Sequence, residues 1–80
     1  MRLDIGHKGD WLVDPRELAV RLDVRVADLK RMKRQGQLNA KLATGDGEDL
    51  GLSRVTVRLS DRGWSGIFDQ AGALIHEEMW

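Results

Sequence analysis

Residues 14–36 constrain the fold most, because their pattern predicts two short helices joined by a tight link. Apolar residues recur there at three- and four-residue steps, which places them on one face of each helix. Asp14 stands where an N-cap is expected, Pro15 is suited to the first helical position, and Gly36 is the expected stop. The apolar stripe comprises Leu18, Ala19, Leu22, Val24, Val26, Leu29 and Met32. We expect this stripe to build a core.

The boundaries of the two helices follow from the same segment. Glu17 lies three residues after Asp14, at the position of a capping-box glutamate. We predict that the first helix ends near Leu22, that residues 23–25 form the link, and that the second helix spans residues 26–35.

The remainder of the chain predicts strands. Residues 2–5 and 11–13 are short apolar segments around a turn, which indicates an N-terminal hairpin. After Gly36 the period becomes two, which predicts a half-buried strand near residues 38–43, two more near 54–59 and 64–69, and an edge strand at 73–75 before an acidic tail. Turns are expected at 44–51, 60–63 and 70–72, where glycine and polar residues cluster.

These elements predict one α+β domain covering residues 1–80: a short N-terminal β-hairpin, two packed helices, then an antiparallel meander of three or four strands. A chain of 80 residues buries only about 60 to 65% of its unfolded surface, so a stability of roughly 4 to 8 kcal/mol is expected. Trp11, Trp64, Trp80 and Phe68 are the bulky aromatic residues, and at least two of them should fill the core.

Composition excludes several classes of function. Thirteen basic and thirteen acidic residues cancel, so no global field attracts polyanions. The sequence contains no cysteine, which excludes disulfides and thiolate metal sites and fits a cytoplasmic protein. No signal peptide or membrane span is visible. His7 and His76 lack partners at metal-ligand spacing, and no serine sits in a catalytic motif, so we expect no metal, no cofactor and no enzymatic activity.

The remaining charged residues form one acidic segment and two groups of cations. Asp46, Glu48 and Asp49 offer hard oxygen ligands, but their spacing does not match an EF-hand, and a plain acidic turn that pairs with Lys41 or Arg54 is expected instead. The candidate residues for binding a macromolecule are cationic: Arg25, Lys30, Arg31 and Arg34 on the second helix, and Arg54 and Arg58 on one face of a strand. For both groups we favour a solvated face of a small domain over a binding site.

The helix pair resembles a helix-turn-helix segment. Ala19 occupies the small position between the helices, Asp23 the turn four residues later, and Leu29 the buried anchor six residues further on. This resemblance implies DNA binding through the basic second helix, with the following hairpin as a wing.

A second resemblance covers most of the chain. The pattern is similar to that of a family of small uncharacterised bacterial proteins of unknown function. It is carried by Trp11, Asp14, Leu18, Ala19, Leu22, Gly36, Gly45, Gly47, Glu48, Asp49, Gly51, Arg54, Thr56, Arg58 and Trp64. This resemblance implies an independent α+β domain and no particular reaction, cofactor or partner.

The sequence therefore favours a small non-catalytic binding domain, a protein-interaction or regulatory module whose partner is another protein. The alternative is a winged-helix-like DNA-binding protein that uses the basic second helix. A small-molecule carrier would need an apolar pocket near Trp11 or Trp64. Self-association through a docked Trp80 is also left open.

Overall fold

A four-stranded antiparallel sheet follows two helices in the chain, and each strand lies beside its neighbour in sequence. The computed structural model describes residues 1–3, 11–45 and 51–80. The elements are α1 (Pro15–Leu22), α2 (Val26–Arg34), β1 (Asn39–Thr44), β2 (Ser53–Arg58), β3 (Gly63–Phe68) and β4 (Leu74–Met79). The α+β class and the strand meander are as predicted.

Helix α1 begins and ends with identifiable caps. The Asp14 carboxylate accepts a hydrogen bond from the backbone N–H of Arg16 at 2.8 Å, as expected of an N-cap. At the other end Asp23 is left-handed, with φ 57° and ψ 46°. The N–H groups of Asp23 and Val24 bond back to the carbonyls of Val20 and Ala19, which is a Schellman motif with aspartate in the glycine position.

Two further features fix the helix ends. The Arg62 guanidinium, from the turn between β2 and β3, donates to the carbonyl of Leu22 at 2.6 Å and so places a cation at the C-terminus of α1. Helix α2 ends at Arg34. Two residues later Gly36 has φ 73°, and the N–H of Gln37 bonds back to the carbonyl of Met32 at 2.8 Å. The predicted glycine stop is confirmed.

The core lies between the helices and one face of the sheet. Trp64 and Phe68 are fully buried and meet edge to face, with ring centroids 6.4 Å apart. The buried residues are Val13, Leu18, Ala19, Leu22, Leu29, Val55, Val57, Trp64 and Phe68. The predicted helical stripe supplies part of this core, with Val24 and Val26 packed at its margin.

The predicted N-terminal hairpin is wrong in the part of the chain that the structure describes. Arg2 forms an isolated antiparallel bridge with Ala73, and the N–H of Leu3 donates to the carbonyl of Gly72 at 2.9 Å. Residues 11–13 form a bend, and Val13 enters the core. The first residues therefore find their partners at the turn before β4. The turn proposed for this hairpin, at residues 7–10, lies outside the described residues.

Two strand predictions also need correction. β1 is exposed along its whole length, not half-buried, because it forms the sheet edge and the helices leave its inner side uncovered. β4 continues through Met79, so most of the presumed acidic tail is paired with β3. The pairing extends because Glu77 is held against the core, where its Oε1 atom accepts from the indole N–H of Trp64 and from Nε of Arg21. Of the predicted acidic turn, residues 46–50 lie outside the described residues.

Candidate interaction surface

The sheet has one face without helices, which we call the open face. Side chains alternate along a strand, so the residues between the buried positions of β2 point to this side. Arg54 and Arg58 are exposed there, while Val55 and Val57 face the core. The strand face predicted from the sequence is therefore present.

The register of β1 and β2 arranges the cations of the open face in consecutive rows across the sheet. The rows pair Asn39 with Arg58, Lys41 with Thr56, and Ala43 with Arg54. Each row carries one cation beside a neutral residue, and consecutive rows are about 6.8 Å apart, since they are two residues apart along a strand. Lys41 thus joins the two predicted arginines on one surface, although it was not among the predicted site residues.

The three cations in these rows are unpaired in the described part of the chain. Across residues 1–3, 11–45 and 51–80, Lys41, Arg54 and Arg58 make no ion pair. The carboxylate of this face belongs to Glu78 on β4, where its Oε1 atom lies 3.4 Å from Nε2 of His76. β4 is three strands from β1, about 14 Å away at the usual strand spacing. Among the described residues, the charged side chains in the β1 and β2 half of the open face are therefore all cationic.

Trp80 closes one end of the open face. Its backbone pairs with Gly63, and its indole lies so close to Gly63 that an added Cβ would meet the ring at 2.5 Å. The guanidinium carbon of Arg58 lies 5.9 Å from the indole centroid, a cation–π contact. Trp80 is thus docked against the sheet, and 52% of it stays exposed.

Of the four predicted cations on the second helix, two form ion pairs and two do not among the described residues. The Asp28 carboxylate forms ion pairs with Nε of Arg25 at 3.0 Å and with Nη2 of Arg31 at 3.2 Å. It therefore neutralises two of the four helical candidates. Lys30 and Arg34 are exposed and have no ion pair among the described residues. The six predicted site residues therefore fall into two groups, one on α2 and one on the open face.

Other cations near the helices are engaged locally. Arg16 pairs with Asp14 at 3.3 Å, and Lys33 lies over the Trp11 ring, 5.6 Å from its centroid. The pKa of Asp14 is lowered, first by the hydrogen bond from the Arg16 backbone, then by the Arg16 side chain and, more weakly, by Lys30. These contacts reduce the positive field expected from the sequence of the helix pair.

Glu77 ties the helices to the sheet. Its Oε1 atom accepts from the indole N–H of buried Trp64 at 2.9 Å and from Nε of Arg21 at 2.8 Å. The Trp64 hydrogen bond is the leading cause that lowers the pKa of Glu77, and Arg21 adds to it against the opposing effect of burial. Gly66 pairs with Glu77, and its missing side chain leaves room for the Trp64 ring. Arg21 is thus a structural cation.

Metal-binding clusters and membrane-spanning helices are absent from the described residues. No group of three or more His, Asp or Glu residues within ranges 1–3, 11–45 and 51–80 could hold a metal ion. In the same ranges neither helix has the length and apolarity needed to cross a membrane. Trp64, one of the two residues near which a carrier pocket was considered, is fully buried in the core.

Comparison with known proteins places the chain in a family. No curated protein and no solved structure matches it. Residues 1–80 match the model of a family of unknown function, DUF6522. The chain therefore belongs to the DUF6522 family of unknown function.

Proposed function

We propose that this domain is a non-catalytic protein-interaction module, and that its docking surface is the β1 and β2 half of the open face. The partner that fits this surface is a protein segment rich in glutamate or aspartate. The observation that carries the proposal is the alignment of Arg58, Lys41 and Arg54 in three consecutive rows, exposed and without ion pairs among the described residues.

Charge complementarity supports an acidic partner. Opposite charges on neighbouring strands contribute about 0.2 to 1 kcal/mol per pair. Three such rows would supply roughly 0.6 to 3 kcal/mol, enough to favour an acidic segment over a neutral one by about threefold to more than one hundredfold. The surface is solvent-exposed, so this preference should weaken as salt shortens the Debye length from about 30 Å at 0.01 M to about 8 Å at 0.15 M.

The helices are the alternative docking surface, and their geometry favours it less. Asp28 pairs with Arg25 and Arg31, which leaves Lys30 and Arg34 as the exposed cations of this group without an ion pair among the described residues. A recognition helix for DNA uses several free cations to contact phosphates and base edges. The protein-binding proposal is therefore preferred to DNA binding.

Fluorescence anisotropy can separate these proposals. The probe is a labelled, end-blocked eight-residue peptide that alternates glutamate with threonine, compared with the same peptide carrying lysine in place of glutamate. We expect the acidic peptide to bind and the lysine peptide not to bind. Failure of the acidic peptide to bind at low salt would refute the proposal.

Charge-reversal variants locate the surface. The combination Lys41→Glu, Arg54→Glu and Arg58→Glu should weaken binding of the acidic peptide by at least about tenfold. The matched control, Lys30→Glu with Arg34→Glu on α2, should change it less than about twofold at 0.15 M salt. Duplex DNA is tested in parallel: binding that only the α2 variant abolishes would support the DNA-binding alternative instead.

A further inference from the structure

The outer edge of β1 has a row of backbone groups that the sheet does not use. The N–H of Gly45 donates to the carbonyl of Leu52 at 2.8 Å, which continues the ladder between β1 and β2. Bonded and non-bonded pairs alternate in an antiparallel ladder. The backbone groups of Ala40, Leu42 and Thr44 therefore point away from β2. No other strand of the described residues pairs with this edge.

The edge adjoins the cationic rows. Lys41 lies on β1 itself, and Arg54 is separated from the edge only by Ala43, whose methyl group leaves the arginine side chain a path towards it. A strand laid beside β1 would place every second side chain on the open face, in step with the three rows. Acidic residues at alternate positions of such a strand would each meet one row.

We propose that the acidic partner binds as an extended strand added antiparallel to β1, with its carboxylates on the open face. This inference rests on the proposed function and adds the binding mode, β-strand addition. The backbone of Ala40, Leu42 and Thr44 supplies the hydrogen bonds, and the cationic rows select the acidic sequence. Antiparallel addition continues the arrangement of all other strand pairs in this sheet.

A second copy of the chain fits the same edge less well. Pairing β1 with β1 would join two open faces into one continuous surface. That surface would bring together two sets of Lys41, Arg54 and Arg58, and the described residues would add no carboxylate beside them. Like charges on neighbouring strands destabilise the pairing. Charge complementarity therefore favours an acidic segment as the occupant.

Selective N-methylation of the peptide tests the binding mode. In an antiparallel added strand, the glutamates opposite Lys41 would occupy non-bonded pairs, so their N–H groups would point away from β1. The threonine N–H groups would point towards β1. Methylating the threonine nitrogens should weaken binding by at least about tenfold, whereas methylating the glutamate nitrogens should change it less than about twofold.

Each outcome has a distinct meaning. Equal binding by the two methylated peptides, or greater loss on methylating the glutamates, would overturn antiparallel strand addition while leaving the acidic docking surface intact. Failure of the unmethylated peptide to bind would instead refute the proposed function.

The protein side offers a second test. Leu42→Pro removes one outward N–H without touching the ladder to β2, and proline is accepted at such edge positions. It should weaken binding of the unmethylated peptide by at least about fivefold relative to Leu42→Ala, which keeps the N–H. The proposal also requires that the natural protein sediments as a monomer. A dimer of the natural sequence that Leu42→Pro dissociates would assign the edge to a second copy and overturn the proposal.

Discussion

Replacing Glu77 should destabilise the fold even though glutamate is normally a surface residue. Its Oε1 atom accepts hydrogen bonds from Trp64 at 2.9 Å and from Arg21 at 2.8 Å, and Trp64 is fully buried. Glu77→Gln keeps an acceptor for the indole but removes the charge that strengthens both bonds, which should cost about 1 kcal/mol. Glu77→Ala leaves the buried indole N–H without a partner and should cost about 2 to 3 kcal/mol.

The loss in Glu77→Gln should depend on pH in a defined direction. The folded pKa of Glu77 lies below its ordinary value, chiefly because of the Trp64 hydrogen bond. A lowered folded pKa contributes stability that is present above the unfolded pKa, about 4.3 for glutamate, and is lost as pH falls through the folded pKa. The stability difference between the natural protein and Glu77→Gln should therefore be largest near pH 7 and shrink below about pH 4.

Urea unfolding followed by far-ultraviolet circular dichroism measures these differences by linear extrapolation. Glu78→Gln is the matched control, because Glu78 lies on the exposed face of the same strand. It should change the free energy of unfolding by less than about 0.5 kcal/mol. Equal stability of Glu77→Ala and the natural protein at pH 7, or a Glu77→Gln deficit that grows on acidification, would refute this role of Glu77.

Two further predictions concern backbone positions and use the same unfolding assay. Asp23→Gly should raise the free energy of unfolding by about 0.5 kcal/mol, because glycine takes the left-handed position of the Schellman motif without a Cβ penalty; a loss of stability would contradict this. Gly66→Ala should cost about 2 to 3 kcal/mol, because its Cβ would meet the buried Trp64 ring at 2.5 Å. Gly63→Ala should cost less than about 1 kcal/mol, because the half-exposed Trp80 ring can move aside. Equal costs for the two glycines would argue against this packing.

Local sequence signals predicted the helices well, because caps act within a few residues. Asp14, Pro15 and Gly36 mark α1 and α2 close to their observed ends. Asp23 was predicted at the turn between the helices, and its backbone there is left-handed. The N-terminal hairpin could not be excluded in this way, since the true partner of Arg2 is Ala73, 71 residues away in the chain.

The charges were harder to interpret from sequence, because pairing depends on which elements meet. Arg21 belongs to a basic helix in the sequence, yet it pairs with Glu77 on β4. Asp28 lies in a segment with more basic than acidic residues, yet its two carboxylate oxygens pair with Arg25 and Arg31. Lys41 reaches the same surface as Arg54 only through the strand register, which alternation within single strands does not specify.

The exposure of β1 also could not be predicted from the sequence. Its alternation of apolar and polar residues is typical of a half-buried strand, but burial requires a second layer on that side. Leu42 is 38% exposed because the strand lies at the sheet edge. The same position makes β1 available to a partner.

The most direct test of the docking surface is a nuclear magnetic resonance titration of the ¹⁵N-labelled protein with the unmethylated acidic peptide. We expect the largest amide shift changes at Ala40, Leu42 and Thr44, with further changes at Arg54 on β2. Changes centred on Lys30 and Arg34 of α2, or no change at millimolar peptide, would contradict it.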